Sequence, residues 1–104
     1  MNNQELQAYL AENSQVEPLF MEKALAYLNE QNMDKLPARR LNDTMIQREA
    51  DKLFDQVLDD VNQKIAQQAH GNTSPETWRA IIEQTNLIEQ MEDSMSELEF
   101  GAQD

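Results

Sequence analysis

Between Asp43 and Ala69 the sequence permits little other than one long helix. Ile46, Ala50, Leu53, Phe54, Val57, Leu58, Val61 and Ile65 recur at steps of three and four, which sets them on one side of a helix with 3.6 residues per turn. Asp51, Asp55, Asp59, Gln56 and Gln63 fall elsewhere on the wheel, and neither Gly nor Pro interrupts the run. Such a helix exposes a long apolar stripe. Other parts of the chain, or another chain, must cover it.

The stop and restart after this helix are sharply marked. Gly71 suits the left-handed position that ends a helix, Ser74 caps the next one, Pro75 fits its first position and Glu76 its first turn. So short a link implies an antiparallel helical hairpin, residues 43–70 against 75–98. The spacing predicts one continuous last helix from Pro75 to about Glu97. Trp78, Ile81, Ile82, Thr85, Ile88, Met91, Met95 and Leu98 line one face, with Leu87 alongside and Trp78 anchoring the C-terminal end of the long helix. His70, the only histidine, is assigned to the helix end rather than to catalysis.

Upstream, Leu6, Tyr9 and Leu10 predict a short helix over Asn3–Asn13, capped by Asn2 or Asn3. A second helix is expected from about Glu17 to Gln31, starting at Pro18 or at a Ser14–Glu17 capping box. It is apolar nearly all round (Leu19, Phe20, Met21, Ala24, Leu25, Ala26, Tyr27, Leu28), which suits the central packing partner of the long helix. Residues 32–42 form a connector with at most one helical turn, beginning at Pro37. It holds Lys35, Arg39 and Arg40, which are expected to pair with acidic helices of the same fold. No alternating strand pattern occurs. The expected fold is all-α: a small bundle of three to four helices built on the long hairpin, with two shorter N-terminal helices. Residues 1–100 are expected to form a single domain and 101–104 a disordered tail.

Charge narrows the function classes. The net charge is −12, from 20 acidic and 8 basic residues. A polyanion is repelled by nucleic acid and by anionic membranes, so direct binding to either is not expected, whereas a basic protein partner is allowed. There is no cysteine. Calcium-loop, His-Glu-x-x-His, phosphate-loop and Glu-x-x-His patterns are all missing. No catalytic residue, metal site or cofactor is therefore assigned, and an enzyme is not expected. The start of the chain has no secretory character and no apolar run nears the roughly 20 residues needed to cross a bilayer, so a cytoplasmic protein is expected.

The acidic last quarter is the candidate partner-binding segment. Residues 71–104 carry eight acidic residues against Arg79 alone. Glu89, Asp93 and Glu97 are four apart, with Glu92 and Glu99 close by. Like charges at this spacing, at the negative end of a helix, oppose helix formation. Either the end frays, or Met91, Met95, Leu98 and Phe100 dock on this fold or on a partner and hold it. The leading expectation is a small acidic interaction module, such as an adaptor, assembly chaperone or regulatory subunit. It would bind a larger protein through Glu89, Met91, Glu92, Asp93, Met95, Glu97, Leu98, Glu99 and Phe100. Two alternatives are kept. One is a nucleic-acid mimic that occupies the basic surface of a target, as some phage and mobile-element inhibitors do. The other is a structural homo-oligomer.

Overall fold

The computed structural model describes residues 1–98. They form five α-helices and one 3-10 turn, with no strand among the described residues. The helices are α1 (Asn3–Asn13), α2 (Val16–Met33), α3 (Asp43–Ala69), α4 (Pro75–Gln84) and α5 (Leu87–Ser96), and the 3-10 turn is Pro37–Arg39. No helix among the described residues is long and apolar enough to cross a membrane. The expected tail, 101–104, lies outside the described residues.

The long helix α3 is 27 residues, or about 40 Å at 1.5 Å per residue. That is most of the molecule's 49 Å length. The Asn42 side chain accepts the Met45 amide at 2.9 Å and fixes its start. At its other end His70, not Gly71 alone, is left-handed: φ is 51° at His70 and 90° at Gly71. Histidine tolerates this region better than most residues, but its Cβ is still crowded there. The two positions should respond oppositely. His70→Gly is expected to raise stability by about 0.5–1 kcal/mol, because it relieves that crowding. Gly71→Ala should lower it by about 1 kcal/mol. Nothing lies within 4 Å of a Cβ built on Gly71, so its penalty is purely backbone. Urea titration of both variants measures the pair.

One face of α3 is buried as its spacing requires: Ile46, Ala50, Phe54, Leu58, Val61, Ile65 and Ala69. Leu53 and Val57 are only half-buried. α2 is its main partner, running antiparallel to it, with Phe20 and Phe54 tilted at 45° and 5.3 Å between ring centroids. The apolar circumference of α2 is less enclosed than its composition suggests. Val16, Phe20 and Ala24 are buried, whereas Ala26 is exposed. Val16 starts the helix, one residue before the expected start, and Pro18 lies within the first turn, where its missing N–H has no intrahelical carbonyl to serve. α1 packs Leu6 and Leu10, both fully buried, across α2 and α3. Asn2 caps it in a reciprocal box with Glu5.

The single last helix expected from the spacing is two helices. Thr85 and Asn86 break it, and Asn86 takes φ 53°. The Thr85 hydroxyl donates to the Ile81 carbonyl at 2.7 Å, while the Gln90 amide donates to the Thr85 carbonyl at 2.8 Å. The break redirects the chain: α4 packs on α3, but α5 packs on α2. A straight helix would have stayed along α3 and left one side of α2 uncovered.

Candidate functional site

The acidic segment lies on α5, and its apolar residues point inward. Met91 and Met95 are buried in the core at 6% and 8% exposure, with Leu87, Ile88 and Leu98 packed half-buried around them. Met91 and Met95 are thus used mainly by this fold and are not presented alongside the carboxylates of the acidic face. Leu98 is largely used in the same way. The opposite face carries Glu89, Asp93 and Glu97, all exposed. Glu99 and Phe100 lie outside the described residues.

Glu92 separates from the other carboxylates. It is half-buried and accepts the Gln15 amide at 2.9 Å. Gln15 is the N-cap of α2 and makes no side-chain cap of its own. The Glu92 carboxylate therefore supplies an acceptor, and a negative charge, at the positive end of α2. The Lys23 ammonium meets the other end of α5, donating to the Ser96 carbonyl at 2.5 Å. This satisfies one of the orphan carbonyls there and places a cation where the helix dipole favours one. Two contacts with α2 thus brace α5 near its middle and at its C-terminal end. Glu92→Gln is expected to destabilise the fold by about 1 kcal/mol. Thermal unfolding at low ionic strength reads this, and an effect that persists unchanged in high salt would remove the charge argument.

The connector cations do not do what charge alone suggested. Lys35, Arg39 and Arg40 were expected to pair with acidic helices, but Lys52–Glu49 is the one ion pair among the described residues. Arg40 instead donates to the carbonyls of Lys35 at 3.1 Å and Met33 at 3.2 Å, closing the C-terminal end of α2. The reason is position. The connector sits at the closed end of the α2–α3 pair, and the α5 contacts with α2 are at Gln15 and Lys23, well short of it.

A polar hub escaped the sequence reading. The Asn62 side chain accepts from the Trp78 indole N–H at 2.8 Å and donates to the Met1 carbonyl at 3.1 Å and to Asn3 Oδ1 at 2.8 Å. Asn3 in turn donates to Asp59. A lone Asn on a helix carries no signal of this, since its partners come from the first residues of the chain and from the next helix. Among the described residues no side chain of polar or charged type is buried, and no group of three or more His, Asp or Glu residues is placed to hold a metal. His70 is exposed at the end of α3.

The arrangement thus presents carboxylate rows: Glu89 and Asp93 on α5 with Glu97 at its C-cap, and Asp51, Asp55 and Asp59 on α3, all exposed. Such rows can attract and orient a basic surface. The chain matches no protein-family model, no curated protein and no solved structure.

Proposed function

We propose that this protein is a non-enzymatic interaction module whose α5 acidic face binds a basic surface on a larger protein. The observation that carries the reading is a conflict between local and tertiary physics. Glu89, Asp93 and Glu97 follow one another at i,i+4 spacing, where like charges repel. Glu89 lies in the favourable first turn of α5, but Asp93 and the C-cap Glu97 approach its negative end. Even so, α5 is helical to Ser96. Burial of Met91 and Met95 overrides the repulsion and holds the row in fixed geometry. An acidic face maintained against a local penalty is what a binding role requires and what solubility alone does not.

The test is a neutral triple variant, Glu89→Gln, Asp93→Asn and Glu97→Gln. It should be more stable than the parent by no more than about 0.5 kcal/mol, since the like-charge repulsion and the unfavourable dipole interaction of Asp93 and Glu97 are removed while the favourable one of Glu89 in the first turn is lost. It should also lose the partner captured by the parent from native lysate. Capture by the parent should weaken as salt rises, because exposed charges are screened beyond about 8 Å at physiological ionic strength. If the neutral variant retains the same partner, the face is a solvated surface and nothing more.

A further inference from the structure

Exposed large apolar side chains are concentrated at one end of this molecule. Among the described residues they are Met33 at 66%, Leu36 at 69% and Met45 at 45% exposure. All three lie where α2 turns into α3, and no residue between Ala24 and Ile46 is buried. Single exposed apolar residues are ordinary, whereas three gathered on one tip are not. The same tip is basic. Residues 33–48 hold four of the eight Lys and Arg residues against two carboxylates, net +2, which leaves −14 on the rest of the chain. Arg40 is committed to backbone carbonyls, and Lys35, Arg39 and Arg48 form no ion pair among the described residues.

The other half of the molecule has the converse surface. α3 and α5 leave between them an open groove of about 250 Å³ with Val57, Val61, Leu87 and Met91 in its lining. Asp60, Lys64, Gln90 and Ser94 are exposed around it, so the groove itself is neutral and the acidic charge lies on the body that surrounds it. We propose that the Met33–Leu36–Met45 tip docks in the α3–α5 groove of a second copy of this chain, reciprocally, forming a two-fold dimer. The tip cannot reach its own groove. Met45 and Val61 lie on one helix, 16 residues and about 24 Å apart. A second copy offers both halves of the match: an apolar groove for the three side chains and an acidic body for the cations. Reciprocity doubles the contact, toward the roughly 800 Å² per partner that stable interfaces bury, and closes the assembly instead of propagating it. A bilayer would also take the apolar tip, but residues 33–48 contain no Trp, Tyr or Phe to seat at its interface, and the body behind them is strongly anionic. The proposal stands apart from the acidic-face reading, since Glu89, Asp93 and Glu97 do not line the groove.

Sedimentation equilibrium of the full chain tests it. The parent should dimerise, and Leu36→Asp and Ser94→Arg should each weaken the dimer by about 100-fold or more. Both positions are exposed, so circular dichroism should show both variants folded. Mixing the two variants is decisive. Leu36→Asp keeps a working groove and Ser94→Arg a working tip, so the mixed dimer keeps one of the two reciprocal contacts where either homodimer keeps none. It should form more tightly than either homodimer but more weakly than the parent dimer. A parent that stays monomeric to about 1 mM overturns the proposal. So does a dimer that survives either substitution, or a mixture that associates no more tightly than either variant alone. A monomeric parent that cosediments with phosphatidylserine vesicles, and loses them on Leu36→Asp, would assign the tip to a membrane instead.

Discussion

Truncating Phe54 to alanine should cost about 3–5 kcal/mol, the largest effect of any single substitution proposed for this chain. Phe54 is 1% exposed, lies halfway along α3 and meets Phe20 of α2. α1 is close by: Gln7, Phe54 and Asp55 line one surface cleft. The cavity therefore opens where three helices converge, and a chain of this slenderness has little neighbouring mass with which to collapse into it. A domain of this size has roughly 5–15 kcal/mol of total stability, so Phe54→Ala removes a large fraction or all of it. Urea titration should show a lower midpoint with little change in slope. Repeating it for Phe20→Ala and the double variant isolates the ring–ring contact, expected at about 0.5–1.5 kcal/mol beyond area burial. A loss below about 1 kcal/mol on Phe54→Ala would mean that the α2–α3 interface is not the mechanical centre of the fold.

Why this interface was legible in the sequence, and the α4–α5 break was not, follows from what periodicity measures. A helical wheel records the phase of apolar residues. Along α3 the phase is sustained for the whole helix, and the buried set agrees closely with the spacing. From Trp78 to Met95 the phase also runs on without a slip, so the pattern reads as one helix. The left-handed turn at Asn86 changes the direction of the axis and so exchanges one partner helix for another. Only the pair Thr85–Asn86, both poor helix formers, hints at it, and such pairs are common inside intact helices. Val16 was missed for a related reason. It is a single apolar residue among Asn, Ser, Gln, Glu and Pro, with no periodic company, yet it is completely buried. The candidate site divides along the same line. That α5 has an acidic face and an apolar face was readable from spacing. Which face turns inward, and that Glu92 leaves the acidic set to cap α2, depended on where α2 sits.

Charge is the property that the sequence states most plainly and places least well. The connector cations have no glycine-rich backbone or interleaved aromatics to make a phosphate site, so the sequence reads them as partners of the acidic helices. Coulomb attraction falls with distance and is screened within about 8 Å at physiological ionic strength, so an excess of carboxylates alone pairs nothing. Because α2 and α3 carry the connector to one end of a 49 Å molecule, the basic and acidic regions are separated instead of neutralised. That separation gives the molecule a surface with two characters, and each character has its own proposed partner.

Replacing Asn62 by leucine should cost about 2–3 kcal/mol, although it adds apolar bulk to a half-buried position of a helix. The loss comes from orphaned partners. Trp78 is 3% exposed, so its indole N–H, now bonded to Asn62 Oδ1, has little water to turn to. The carbonyl of Met1 and the side chain of Asn3 lose their donor as well, though both residues are partly exposed and regain hydration. Only the indole thus carries a full desolvation penalty, which sets the estimate near that of one unsatisfied buried donor plus lost tethering. The hub joins the N-terminal residues, α3 and α4, so its loss should not be felt evenly. Hydrogen exchange should accelerate most in α1, which Asn3 ties to Asn62 and Asp59, and least in the middle of α3. Trp78 is the only tryptophan, so its emission reports the site directly, and removing the hydrogen bond should shift it to the blue while the protein is still folded. Unchanged emission together with uniform exchange would mean that the three bonds do not act as a unit. The N-terminal helix would then be held mainly by the burial of Leu6 and Leu10, with the Gln7–Glu17 hydrogen bond to α2 beside them.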